Sequence, residues 1–287
     1  MARCSEFTHS RYDAAMSDMT ASLLEFEPQI RLGAFVGILL TMMIWERVVP
    51  LRALRQSLAL RWSGNLGIAA VSTLAARLAA PIIPAGVAAV AASNDWGLFN
   101  IIALPTWLTF VVSLLALDAL IYTQHRVFHA VPLLWRLHRM HHADLELDTT
   151  TGLRFHPLEI LLSLLIKAVA VLALGAPVLA VIVFEIVLNA TAMFNHGNVR
   201  IPLPLDRWLR LIVVTPLMHR VHHSIVREET DSNFGFNLPW WDRIFGTYRP
   251  APAAGYADMI VGLPVFRSSD DSRLDRLLIQ PFTTERP

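Results

Sequence analysis

The chain has 287 residues, of which 54% are hydrophobic and only 16% charged, with a mean hydropathy of +0.47 and a formal net charge of +1. Soluble domains carry about 25% charged residues, so the composition is that of a membrane protein. Near neutrality, and no basic run interleaved with aromatics, exclude a nucleic-acid partner. The single cysteine, Cys4, rules out an intrachain disulfide and removes thiolate from any core metal site.

Residues 1–30 include Glu6, Asp13, Asp18, Glu25 and Glu27 and hold no apolar core of signal-peptide length, so they read as a polar tail and not a cleaved signal. The first apolar run, Leu32–Trp45, extends to Leu51 if Glu46 and Arg47 snorkel, which makes about 20 residues, enough for a ~30 Å hydrocarbon core. A polar loop with Arg52, Arg55 and Arg61 follows. The second run, Leu66–Ala92, contains Arg77 and is interrupted by Pro81 and Pro84, as a kinked span or a re-entrant hairpin. After a break at Ser93-Asn94-Asp95, the uncharged run Leu98–Leu117 predicts a span that continues as helix through Asp118 and Tyr122 into His125. The apolar stretch Leu158–Met193 is divided by Gly175-Ala176-Pro177 into halves of about 17 residues, near the short limit for crossing. One half carries Lys167 and the other Glu185. Residues 200–287 read as mixed and soluble, with a Trp240-Trp241 pair and a polar tail from 251.

Ten of the eleven histidines lie between His125 and His223; His9 alone stands outside. His125 and His129 are spaced i, i+4. His138, His141 and His142, and again His219, His222 and His223, are spaced i, i+3, i+4. On a helix each set shares one face. With His156 and His196 they make ten candidate nitrogen ligands, enough for two ions of about five each, where a single tetrahedral zinc needs four. An all-imidazole set suits iron, zinc, copper or nickel and disfavours calcium and magnesium. Hydrolytic zinc is unattractive, because no His-Glu-x-x-His occurs and no glutamate follows a box histidine as general base. Two irons beside a membrane point to O2 activation and attack on an unactivated C–H bond of a lipid. Asp118, Tyr122, Glu159, Asp231 and Asp242 are the candidates for orienting the ligands. The box arginines Arg126, Arg139 and Arg220 read as solvated or headgroup-facing charges.

A hairpin between His156 and His196 returns the chain to one membrane face, where all the histidines meet. Arg52, Arg55, Arg61, Arg126, Arg136, Arg139, Arg154, Arg200, Arg207 and Arg210 share that side, whereas Ser93–Trp96 has none, so the positive-inside rule puts the histidines on the cytosolic face. That face belongs to the inner membrane of a bacterium or the endoplasmic reticulum of a eukaryote. A metal transporter or sensor is one rival, requiring ionisable groups along a mid-span path. A bis-histidine haem protein is another, requiring single histidines on facing helices.

The combined pattern resembles the fatty acid hydroxylase/sterol desaturase superfamily. It runs from Asp118-x-x-x-Tyr122-x-x-His125-Arg126-x-x-His129 through Leu134-Trp135-x-x-His138-x-x-His141-His142, Arg154-x-His156-Pro157-x-Glu159 and Asn195-His196-x-Asn198. His219-x-x-His222-His223-Ser224, Asp231-x-Asn233-Phe234-Gly235 and Trp241-Asp242-x-x-Phe245-Gly246-Thr247-Tyr248 complete it. The resemblance implies an all-α membrane bundle of four to five spans or dips, with a cytosolic helical cap holding two irons on the ten histidines and Asn195 among the residues around them. It divides the chain into a tail (1–30), N-terminal spans (31–97), a catalytic domain (98–250) and a second tail (251–287). It further implies O2 as co-substrate, a membrane lipid as substrate and hydroxylation or desaturation as the reaction. No fused haem domain fits in the N-terminal tail, so electrons are expected from a separate donor of ferredoxin, cytochrome b5 or flavin reductase type.

Overall fold

The computed structural model describes the backbone of residues 2–79, 84–102 and 104–284, and their side chains from residue 22 onward. In chain order the helices are α1 (Ala2–Val48), α2 (Leu58–Ala79), α3 (Pro84–Ser93), α4 (Leu98–Ile101), α5 (Thr106–Ala130) and α6 (Pro132–His142). After a 3₁₀ turn (Thr149–Leu153) come α7 (Pro157–Leu174) and α8 (Val178–Asn195). The short helices α9 (Leu203–Leu209), α10 (Pro216–His222), α11 (Arg227–Thr230), α12 (Trp240–Ile244), α13 (Gly255–Asp258) and α14 (Leu274–Ile279) finish the fold. Among the described residues the pairings Pro50–Val199 and Ser224–Val261 are isolated bridges, and no strand forms. The protein is all-α, as expected.

Among the described residues five stretches are long and apolar enough to cross a membrane: Ser22–Val48, the stretch Leu58–Ile101 that holds α2, α3 and α4, Thr106–Ala130, Pro157–Leu174 and Val178–Asn195. Their limits differ from the sequence reading. The helix α1 runs unbroken from Ala2 across the tail boundary drawn at residue 30. The uncharged run over 98–117 is split, because Pro105 offers no N–H to a preceding turn and instead starts α5. The choice between kink and re-entrant hairpin at Pro81 lies outside the described residues, as do the side chains of Cys4 and His9. The hairpin expected between His156 and His196 is α7–α8, turned by Gly175 at φ +65. A Cβ on Gly97 would sit 2.2 Å from the Gly175 nitrogen, so these two glycines bring the bundle's end away from the histidines into close contact.

In lipid, packing contacts rather than water exclusion hold helices together, and small residues let backbones approach. Ala85 and Ala88 of α3 meet Leu117 and Ile121 of α5, Val171 of α7, and Val181 and Phe184 of α8 in one buried cluster. Met42 of α1 meets Met193 of α8 in a second. The two charges that interrupt the hairpin neutralise each other, Lys167 Nζ lying 2.6 Å from Glu185. Arg31 of α1 reaches the same carboxylate at 3.2 Å and Glu27 at 2.8 Å. This closed set offers no chain of ionisable groups leading to the histidines.

The histidine end is built around buried charge. Arg61 was expected in a loop, but it lies in the first turn of α2 with 1% exposure. It donates to Asp144 at 3.0 Å, Asp148 at 2.6 Å and the Glu146 carbonyl at 2.6 Å. Arg139 and Arg220 are also buried, contrary to their reading as solvated or headgroup-facing charges, while Arg126 is exposed. The cause for Arg139 is the segment read as a C-terminal tail. It folds back so that Leu277 packs on Ile68 and Met140, while the carbonyls of Gln280 and Thr283 accept from Arg139 at 2.7 and 2.6 Å.

Burial alone would raise the Asp144 carboxyl, but Arg61 and Arg154 beside it hold it well below the usual carboxylate range. Removing one member of a buried charge set leaves the others uncompensated, so Asp144→Ala is expected to lose roughly 3–5 kcal/mol, read as a lowered thermal midpoint in detergent. A depressed carboxylate stabilises above its unfolded pKa of about 3.9 and loses that contribution as pH falls further. The midpoint should therefore be insensitive to Asp144 between pH 7 and 5 and should fall with acidification below about 4, a dependence the variant lacks.

Candidate metal centre

Nine histidines converge in two groups, and the second and third boxes are shared between them. His125, His129, His138, His142 and His222 form the first group; His141, His196, His219 and His223 form the second. Within each, the facing nitrogens all lie within 4.8 Å of one another. On α6 the i and i+4 residues, His138 and His142, go to the first group and the i+3 residue, His141, to the second. Around α10 the assignment is exchanged: His219 and His223 serve the second group and His222 the first. Sharing one helix face therefore does not place a whole box in one group, and His125 and His129 alone stay together.

Hydrogen bonds on the far side of the rings decide which nitrogen faces inward. His125 Nδ1 donates to the Phe234 carbonyl at 2.8 Å and His138 Nδ1 to Glu159 at 2.7 Å. In the neutral rings Nε2 is then a bare lone pair, and these two lone pairs lie 3.1 Å apart inside the protein. In the second group His196 alone has such an anchor, since the buried Nδ1 atoms of His141, His219 and His223 have no hydrogen-bond partner. His196 Nδ1 donates to the Ala192 carbonyl at 2.7 Å, while its Nε2 faces those of His141, His219 and His223 at 3.0, 3.1 and 3.1 Å. Protons cannot fill the gaps readily. Burial is the main force holding His222 near 3 and His196 near 4, and it pushes His141, His142, His219 and His223 well below their ordinary value. A cation at the centre of each group satisfies the lone pairs, and edges of about 3 Å suit metal–nitrogen bonds of ~2.1 Å. The residues therefore fit a pair of metal ions.

The sequence candidates for orienting the rings divide. Glu159 and Asp231 touch histidines, at 2.7 Å to His138 and 3.2 Å to His129. Asp118 instead accepts from Trp241 Nε1 at 2.8 Å and Leu238 N at 3.2 Å. Asn195 donates to the Phe236 carbonyl at 3.0 Å, and Tyr122 pairs with Thr247 at 2.8 Å. Asp242 accepts from Phe234 N, Gly235 N and Thr247 Oγ1 at 2.7–2.8 Å. These four residues brace one loop, and that loop turns two carbonyls on the rings: Phe234 toward His125, and Ser232 toward His222 at 2.7 Å. Asn233 sits between them at φ +51, its amide donating to Met218 and Arg249 carbonyls.

His156, the tenth expected ligand, stands outside both groups. Pro157 begins α7, which makes His156 its N-cap. His156 Nδ1 accepts from Leu158 N at 3.2 Å and its Nε2 meets the Leu278 carbonyl at 3.2 Å. The backbone acceptors Phe234, Ser232 and Ala192 were not foreseen. Nor was Gly152, where a Cβ would come 2.4 Å from the Ala192 oxygen and 3.2 Å from His196 Nδ1. For the loop, the Asn-Phe-Gly triplet ahead of Trp-Asp was the available signal.

Residues 110–247 match the family model for fatty acid hydroxylase. The chain is 33% identical over 150 residues to an ornithine lipid hydroxylase of Rhizobium tropici, a match covering 52% of this chain and 44% of that one. It is 31% identical over 160 residues to the alkylglycerol monooxygenase of Homo sapiens, covering 54% and 34%. A very-long-chain aldehyde decarbonylase of Oryza sativa is 30% identical over 147 residues, covering 49% and 54%. The chain thus spans about half or less of these relatives' lengths. No solved structure matches it.

Removing a group that orients a ligand typically costs 10–100-fold in metal affinity. Glu159→Ala is expected to weaken metal binding by that factor in equilibrium dialysis, and Gly152→Ala to weaken it by displacing His196. His156→Ala should keep the parent's metal content and lose about 1 kcal/mol of stability with its cap.

Proposed function

We propose that this chain, whose residues 110–247 match the family model for fatty acid hydroxylase, belongs to that family and is an O2-dependent di-iron enzyme that hydroxylates an unactivated C–H position of a membrane lipid. The observation that carries the reading is the pair of buried histidine groups whose Nε2 atoms face one another at 3.0–3.1 Å. His125, His129, His138, His142 and His222 would hold one iron, and His141, His196, His219 and His223 the other. Two bound irons would supply the reduction of O2 and the oxidising power for the C–H bond.

The remaining groups define what the protein does around that chemistry. Glu159 and Asp231 take the outer ring protons of His138 and His129, which raises the donor strength of the inward nitrogens and offsets cationic charge. Phe155 lies flat on His141 with ring centroids 4.5 Å apart, and Phe234 stands edge-on to His125 and His129, so aromatic walls keep water from the rings. Hydroxylation places one oxygen atom of O2 in the C–H bond and releases the other as water, consuming two electrons and two protons. We assign the electrons to a separate donor of ferredoxin, cytochrome b5 or flavin reductase type. Hydroxylation is preferred to desaturation because two of the relatives are named as a hydroxylase and a monooxygenase. A cytosolic placement of the histidine end is favoured by the exposed arginines Arg55, Arg126, Arg200 and Arg207. Buried Arg61, Arg139, Arg154 and Arg210 no longer count toward it.

Purified in detergent and loaded with ferrous iron, the protein is expected to hold two irons per chain. Lipid extracts of expressing cells should contain species that have gained one oxygen atom by mass spectrometry, whereas desaturation would appear as loss of two hydrogens. His138→Ala and His222→Ala should abolish the product and lower the iron content. Full turnover in either variant would sink the proposal.

A further inference from the structure

Three short segments beyond the last span form one exposed apolar surface. Leu203 and Trp208 of α9, Ile212 after it, Trp240 and Ile244 of α12, and Phe245 are all exposed, Trp208 to 72% and Ile244 to 66%. Two hydrogen bonds tie the segments together. Trp240 Nε1 donates to the Leu211 carbonyl at 2.7 Å, and Arg243 donates to the Arg210 carbonyl at 2.7 Å. Its acidic residues, Asp206 and Asp242, are buried, whereas Arg207 and Arg243 are exposed. An apolar surface carrying exposed tryptophan and a cationic rim is matched to lipid headgroups and the acyl chains beneath them.

Its depth follows from what it touches. Trp241 and Leu238 both donate to Asp118, the thirteenth residue of the 25-residue α5. At 1.5 Å per residue Asp118 is about 18 Å from the start of α5. If Thr106 marks one edge of a ~30 Å core, Asp118 lies roughly 12 Å inside the other edge. Trp107 and Val111, eleven and seven residues before Asp118 on the same helical stripe, are exposed to 68% and 42%, so the surface continues α5's lipid-facing side. The chain entering α9 is tied to the end of α1 by the bond from Arg200 N to the Val49 carbonyl, 2.9 Å.

We propose that α9 and α12 form a non-spanning insert seated in the leaflet at the histidine end, where a water-facing cap surface was expected from sequence. The inference rests on the spanning reading of α5 and of α7 packed against it, and is independent of the oxygenase reading. Its consequence is that lipid lies three rings from the first histidine group. Phe245 stacks on Tyr122 at 5.5 Å, Tyr122 meets Phe234 edge-on at 6.4 Å, and Phe234 stands 5.6 Å from His125.

The test uses the full chain with Cys4→Ser in phosphatidylglycerol-containing liposomes, with single spin labels at Ile212→Cys or Ile244→Cys. Leu165→Cys on α7 reports the span and Arg273→Cys reports water. Collision with O2, which concentrates in bilayers, is compared with collision with a water-soluble nickel chelate. Labels at 212 and 244 should follow 165, with high O2 and low nickel accessibility. Nickel accessibility like that at 273 overturns the proposal, and so does exclusion of both reagents, which would mean that a protein partner or a second copy covers the surface. Nickel accessibility at 165 itself would overturn the spanning reading, and the proposal with it.

Discussion

Nine imidazoles cannot be buried with their lone pairs facing one another unless something cationic lies between them. That constraint governs the histidine end of the molecule. Carbonyls and carboxylates hold the outer ring protons of His125, His138, His196 and His222, so these rings cannot turn to relieve the repulsion. Desolvation is what holds His196 and His222 below their ordinary value, and a neutral ring is the form that binds metal. The loop around Asn233 and Asp242 thus matters less for its own side chains than for the direction of two backbone carbonyls.

Away from the histidines, the fold separates charge from apolar surface in two ways. Between the spans, charges cancel within a closed set of Arg31, Glu27, Lys167 and Glu185. At the histidine end, Arg61 and Arg154 are matched by Asp144 and Asp148, which fastens the start of α2 to the turn that follows the second box. The segment near residue 280 holds α6 from outside through Arg136 and Arg139. The second box is therefore held on one side by its convergent rings and on the other by backbone carbonyls.

Much of this was legible in the chain. The i, i+4 spacing of His125 and His129 and the Gly175-Ala176-Pro177 turn act over a few residues, and both were read correctly. What failed depended on distant partners. Arg61 meets Asp144 across 83 residues, so nothing near it in sequence distinguishes a buried arginine from a loop charge. The sharing of each His-x-x-His-His set between two groups depends on how α6 faces α10, which spacing along either helix does not contain. His156 stands apart from both groups because its proline neighbour, read as part of a motif, makes it a helix cap. The segment after 270 carried a helical signal at Leu274, Leu277 and Leu278, but its polar flanks outweighed it.

The exchange of roles between α6 and α10 ties the two histidine groups into one mechanical unit. Each helix feeds both groups, so a rotation of α6 that favours His138 and His142 also moves His141 in its neighbour. Filling one group fixes the helices that carry the other, which is linkage through shared levers rather than through contact between ions. On the proposed two-metal reading, a change in either helix would alter the affinity of both positions. Selective adjustment is left to the elements that serve one group alone: α5, Glu159 of α7 and the 231–234 loop for the first, and the end of α8 with Gly152 for the second.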